Sequence, residues 1–299
     1  MWIPITLFAA LAQTVRNAAQ RSLVGDLGTL GATLVRFLYG LPFAIAWLGL
    51  LVALTGASLP AIHIGFFVWC AIGGVSQIVG TALLLRVMAA RNFAIGVAYS
   101  KTDVIQTALF SALLLADTLS LQGALAVGCA SVGVLLLAPA AGDRPLRSLV
   151  TGFVSRSALL GLGCGACMAL ASVAFRAATH ALAAPSFLVA AAMTLVGALA
   201  LQTVLLGAWL GVRDRRVVVR TLAAWRPSLF AGLMGAAASA GWFTAFAIKP
   251  ATHVRTLGLV EIVFSYAVSR RFFREHLTRR ELAALVLLGA GAALITTAA

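Results

Sequence analysis

Apolar residues fill this chain in long blocks, and most of the charged residues gather at the joints between the blocks. Stretches of about twenty predominantly apolar residues recur from end to end, each long enough as a helix to cross a hydrocarbon core of roughly 30 Å. The pattern predicts ten helices, at approximately residues 3–22, 29–55, 61–88, 92–115, 120–138, 157–180, 185–211, 226–247, 251–273 and 279–297. Short segments of strictly alternating polarity, which a transmembrane barrel needs, do not occur in the sequence. In lipid each backbone N–H and C=O must be satisfied within its own segment, so the blocks read as helices. The predicted fold class is an all-α integral membrane protein with ten transmembrane helices.

The blocks are written twice. An offset of 158 positions carries Gly74 onto Gly232, Thr81 onto Ser239, Arg91 onto Lys249, Asp103 onto Glu261, Ser111 onto Ser269 and Gly133 onto Gly291. It also carries Asp117-Thr118-Leu119-Ser120 onto Glu275-His276-Leu277-Thr278. The one stretch with linker character runs from Pro139 to Arg156. Residues 1–140 and 157–299 therefore form two five-helix units joined by residues 141–156. Five is odd, so the second unit enters the bilayer from the side opposite to the first, and the repeats are inverted.

Composition agrees with a membrane setting. Of 299 residues, 62% are apolar and 10% charged, and the mean hydropathy is +1.04, far outside the range of soluble domains. The net charge of +14 would suggest nucleic acid in a soluble chain, but here arginines crowd the odd-numbered loops, such as Arg144, Arg147, Arg213, Arg215, Arg216, Arg270 and Arg271. They act as orientation signals and place both termini on the periplasmic side of a bacterial inner membrane. The start of the chain, with no basic leader, is read as a span. The partners are the lipid bilayer and a small-molecule substrate, with no nucleic acid. Cys70, Cys129, Cys164 and Cys167 all lie within apolar segments, and the CxxC of the last two reads as small residues for close helix packing.

Six ionisable residues fall inside the spans: Arg16, Arg36, Lys101, Asp103, Arg255 and Glu261. A charge at the bilayer centre costs about 2.5–3.5 kcal/mol on insertion scales, so such residues face a bundle interior or a wet cavity and mark function. Asp103 and Glu261, mates under the offset, lie near the midplane. Lys101 points roughly 200° away from Asp103 on a helix, so the two do not pair along it. Arg36, near a basic loop, is expected to snorkel. Gln13, Arg16, Asn17 and Gln20 share one face of the first span. The candidate substrate-binding residues are Gln13, Arg16, Asn17, Gln77, Tyr99, Ser100, Lys101, Asp103, Trp242, Phe243 and Glu261. The plainer alternative is that these groups only staple helices together, at about 0.6 kcal/mol per interhelical hydrogen bond.

The five-plus-five arrangement, the acid after each fourth span and the glycine-bearing fifth span resemble the drug/metabolite transporter superfamily, and within it the EamA-like ten-span exporters. The resemblance implies a central cavity lined by spans one, three, four, six, eight and nine. It further implies export of amino acids or related small metabolites by alternating access, with efflux of cationic drugs such as viologens as an alternative. Members of that branch commonly carry a proline in the middle of the fourth and ninth spans. This chain has Asp103 and Glu261 there instead, so a bend must come from elsewhere, as at Gly96 or Gly258. A proton carried on Glu261 or Asp103 is the coupling ion in an antiport mechanism, whereas a facilitator needs none. A membrane interaction protein without transport is a further alternative. No nucleophile–base spacing, HExxH, Walker or glycine-rich phosphate loop appears, so no enzyme, metal or cofactor is expected.

Overall fold

The computed structural model describes residues 1–90, 100–101, 103–115, 156–182, 184 and 186–272, with isolated positions between 121 and 132 and between 283 and 294. The described residues are all helical or irregular, with no strand among them. Five helical stretches are long and apolar enough to cross a membrane: Trp2–Thr55, Ile64–Ala89, Leu159–Ala181, Phe187–Arg213 and Trp225–Ile248. The fifth and tenth expected spans, the connecting loop and the Asp117 and Glu275 motifs lie outside the described residues, apart from scattered positions.

The first stretch holds two passes of chain. Helix α1 (Trp2–Leu38) is broken at Gly28, whose φ of 69° and ψ of 172° suit glycine alone. The Gln20 side chain donates to the Ala32 carbonyl at 2.7 Å. Twelve residues of straight helix would separate these positions by about 18 Å, so the chain doubles back at Gly28. A second interruption at Tyr39–Gly40 separates α1 from α2 (Leu41–Thr55). Pro42 explains it, because its ring clashes with the carbonyl four residues back, that of Leu38. Helix α2 stops at Gly56, left-handed at φ 62°, whose N–H caps Val52 O at 2.9 Å.

The remaining helices are α3 (Ile64–Ala90), α4 (Asp103–Leu115), α5 (Arg156–Ala181), α6 (Phe187–Arg213), α7 (Arg215–Ala223), α8 (Trp225–Ile248), α9 (Ala251–Leu257) and α10 (Val260–Phe272). Helix α7 was not expected from the sequence. It carries Arg215, Arg216 and Arg220 together with Val217, Val218 and Leu222, a short basic amphipathic segment between two long apolar ones. The expected ninth span is two pieces, α9 and α10, broken at Gly258–Leu259. A Cβ at Gly258 would lie 2.6 Å from the Trp242 ring, so this glycine is a close-approach position as well as a break.

Among the described elements the widest packing is α1 on α8 and α3 on α5, with α4 also on α5, α10 on α1 and α2 on α6. Small residues allow it. A Cβ at Gly232 of α8 would fall 2.5 Å from the backbone of Tyr39. Phe8, Leu50, Phe67, Leu113, Val204 and Trp209 are exposed on the outside, where lipid tails would meet them, while charged and amide side chains are buried inside. All four cysteines are free; Cys164 Sγ donates to Gly80 O at 3.3 Å, and Cys167 packs against the same glycine.

Candidate functional site

The helix breaks create the site. Asp103 lies in the first turn of α4 and Glu261 in the first turn of α10. A helix N-terminus presents unpaired N–H groups and a partial positive charge, which favour a carboxylate. Lys101, two residues before the start of α4, and Leu259, one before the start of α10, are mates under the 158-residue offset and are both non-helical. Of the two bends expected, the one at Gly258 is present as the break between α9 and α10, and Gly96 lies outside the described residues.

Both carboxylates are buried, and each is paired across the molecule. Glu261 forms an ion pair with Lys101. It also receives Gln13 Nε2 at 2.6 Å on Oε2 and Asn17 Nδ2 at 3.0 Å on Oε1. Asp103 Oδ2 lies 3.3 Å from Arg255 Nη1. Arg255 spreads its other donors, with Nε to Ser172 Oγ at 2.7 Å and Nη2 to Met168 O at 3.3 Å. Its guanidinium also covers the rings of Trp242 at 5.2 Å and Phe246 at 5.8 Å. Trp242 Nε1 in turn donates to Gln13 Oε1 at 2.9 Å, which ties the two pairs into one network.

These groups surround a central cavity of about 30 Å³, room for roughly two waters and too little for an amino acid. In this conformation the site is closed around its centre. Gln13, Arg16, Gln77, Ser100, Lys101, Asp103, Trp242, Phe243 and Glu261 all line it. Asn17 stands behind the wall, held between Glu261 Oε1 and Arg16 Nη2. Tyr99 lies outside the described residues. Gln77 also has a structural tie, accepting from Gln202 Nε2 at 2.9 Å. Phe243 stacks at 4.6 Å on Phe175, giving the cavity an aromatic side. Gln20, on the same face as Gln13 and Asn17, serves the hairpin at Gly28 instead.

Several lining residues lie outside the expected set, Arg36, Arg255, Met168, Ser172 and Phe175 among them. Arg36 does not snorkel; it is 3% exposed, lines the cavity and donates from Nη1 to Thr81 Oγ1 at 2.9 Å. It stands eight residues past the Gly28 turn, about 12 Å along the helix, beyond the reach of a side chain to the interface. Arg255, an intramembrane charge in the sequence, lines the cavity as well. Met168, Ser172 and Phe175 recur at spacings of four and three on α5, one face of a helix, and that spacing was the available signal for Ser172 and Phe175.

A multi-pass helical bundle that closes buried ionisable groups from different helices around one central point has the build of a membrane transporter. Residues 155–297 match the EamA-like transporter family, a branch of the drug/metabolite transporter superfamily. A solved structure titled "Crystal structure of protein" superposes with a TM-score of 0.63 at 19% identity, covering 99% of this chain and 99% of that one. At that identity the likeness speaks for the fold alone, over the full length. No match is found among curated proteins.

Proposed function

We propose that this chain is a secondary transporter that exports amino acids or related small metabolites from the cytoplasm by alternating access, through the central cavity between two inverted five-helix repeats. One observation carries this reading: buried ions from both halves of the chain, Lys101 and Asp103 from one and Arg255 and Glu261 from the other, pair across a closed cavity. Pairs that cross a seam can break and re-form as the halves rock, which a buried pair within one half cannot do.

The packing supports the inverted repeat. The 158-residue offset exchanges α1 on α8 with α5 on α3, exchanges α10 on α1 with α4 on α5, and returns α2 on α6 to itself. Any two-fold relation between the halves gives this pattern; with five spans in each half its axis lies in the membrane plane. The basic loops, including α7, then face the cytoplasm and both termini the periplasm of a bacterial inner membrane. Chemically the site fits a solute with a carboxylate and an amine: cations for the first, Asp103 for the second, Phe243 and Trp242 as an apolar wall. Where a proton is exchanged for substrate, Asp103 is the better carrier, since Glu261 already receives three donors.

The test is uptake of a panel of labelled amino acids into proteoliposomes by wild type, Lys101→Ala and Glu261→Gln. The expected result is transport by wild type that both folded variants lose. Transport that neither change affects would make the charges structural, and no transport of any amino acid would contradict the reading.

A further inference from the structure

The charges around the cavity do not balance. Among the described residues, Arg16, Arg36, Lys101 and Arg255 face it together with only two carboxylates, Asp103 and Glu261, and all six are buried. Glu261 neutralises Lys101 and Asp103 neutralises Arg255. Arg16 and Arg36 remain, with no carboxylate of their own among the described residues, so the closed site keeps a surplus of two positive charges.

These two arginines stand side by side. A Cβ at Gly235 would lie 3.3 Å from Arg16 Cδ and 3.6 Å from Arg36 Cγ. Their hydrogen bonds go to neutral groups, Asn17 Oδ1 and Thr81 Oγ1. Arg16 Nε and Nη1 and Arg36 Nε have no partner among the described residues, although buried donors nearly always have one. A guanidinium does not shed its proton at physiological pH. Two of them together in a low-dielectric interior repel, and an anion within reach of both removes the repulsion and satisfies the empty donors. Asp103 Oδ1 is likewise buried and has no side-chain partner among the described residues, an acceptor facing the same cavity.

We propose that the transported solute is net negative, with a carboxylate or phosphate group taken by Arg16 and Arg36 and a donor group, such as an amine or hydroxyl, received by Asp103. This deepens the transport reading and rests on it for the word "transported". A neutral zwitterion leaves the positive surplus in place, and a dication such as methyl viologen adds to it.

The full-length chain, purified in detergent, is to be melted with and without millimolar glutamate, succinate, glycerol phosphate, leucine and methyl viologen. The same solutes are then followed by exchange in proteoliposomes. The expected result is stabilisation and exchange with the anions, the carboxylate and phosphate probes showing which oxyanion fits, and no effect of methyl viologen. Arg36→Gln should raise the KM for the anion on the order of tenfold, while Arg36→Lys, which keeps the charge, should retain most of the affinity. Anion-specific stabilisation without exchange would support the anion site and remove transport. Equal or stronger response to leucine or methyl viologen, no response to any solute, or an Arg36→Gln variant that melts like wild type and binds anions unchanged would overturn the proposal.

Discussion

Glu261 receives Lys101, Gln13 and Asn17 and has both oxygens committed, whereas Asp103, its mate under the 158-residue offset, meets Arg255 through one oxygen and has no side-chain partner for the other among the described residues. The cations differ in the same way. Lys101 is a point charge given to Glu261, while Arg255 divides a planar group among Asp103, Ser172, a carbonyl and two aromatic faces. One sequence repeat has thus produced two unlike sites: a latch that ties α1, the Lys101 turn and α10 together, and a looser pair with an acceptor free for something else. Each acid lies in the first turn of its helix, α4 or α10; their neighbours set what each does.

The largest effect expected is from Glu261→Gln. It strands Lys101 in the interior, and breaking a buried pair from one side costs about 3–5 kcal/mol. Asp103→Asn should cost no more than about 1–2 kcal/mol, because Arg255 keeps its other partners; equilibrium unfolding of both variants checks the contrast. Replacing the pair whole, as Lys101→Met with Glu261→Met, should recover part of that loss, since an ion pair exchanged for apolar side chains is often neutral, the remainder being the Gln13 and Asn17 donors left without their acceptor. A double variant as unstable as Glu261→Gln alone would break the comparison. Next comes Gly258→Ala, which pushes a methyl into Trp242 and should cost about 1–3 kcal/mol, with a shift in tryptophan emission. The smallest is Ser172→Ala, which removes one acceptor from Arg255 and should cost about 1 kcal/mol in the same unfolding measurement.

The all-helical fold and its long apolar helices were legible because both rest on local quantities: block length and a rise per residue. The pairing was not. Lys101 meets Glu261 and Asp103 meets Arg255, but the offset sends Lys101 to Leu259 and Val97 to Arg255. No symmetry in the sequence links a cation in one half to the acid it meets in the other. Arg36 was misplaced for a related reason. Its distance from a basic loop is short in sequence, yet the turn at Gly28 sends the next helix straight back into the bundle. Helix α7 escaped notice because nine residues between two long apolar blocks read as loop.

The central claim, that the two acids are equivalent in the fold and unlike in role, is tested most directly by measuring KM and melting temperature together for Asp103→Asn and Glu261→Gln. The account predicts that Asp103→Asn melts within a few degrees of wild type with a KM raised on the order of tenfold, and that Glu261→Gln loses much of its stability. Equal losses of stability in the two, or an unchanged KM in a folded Asp103→Asn, would contradict it.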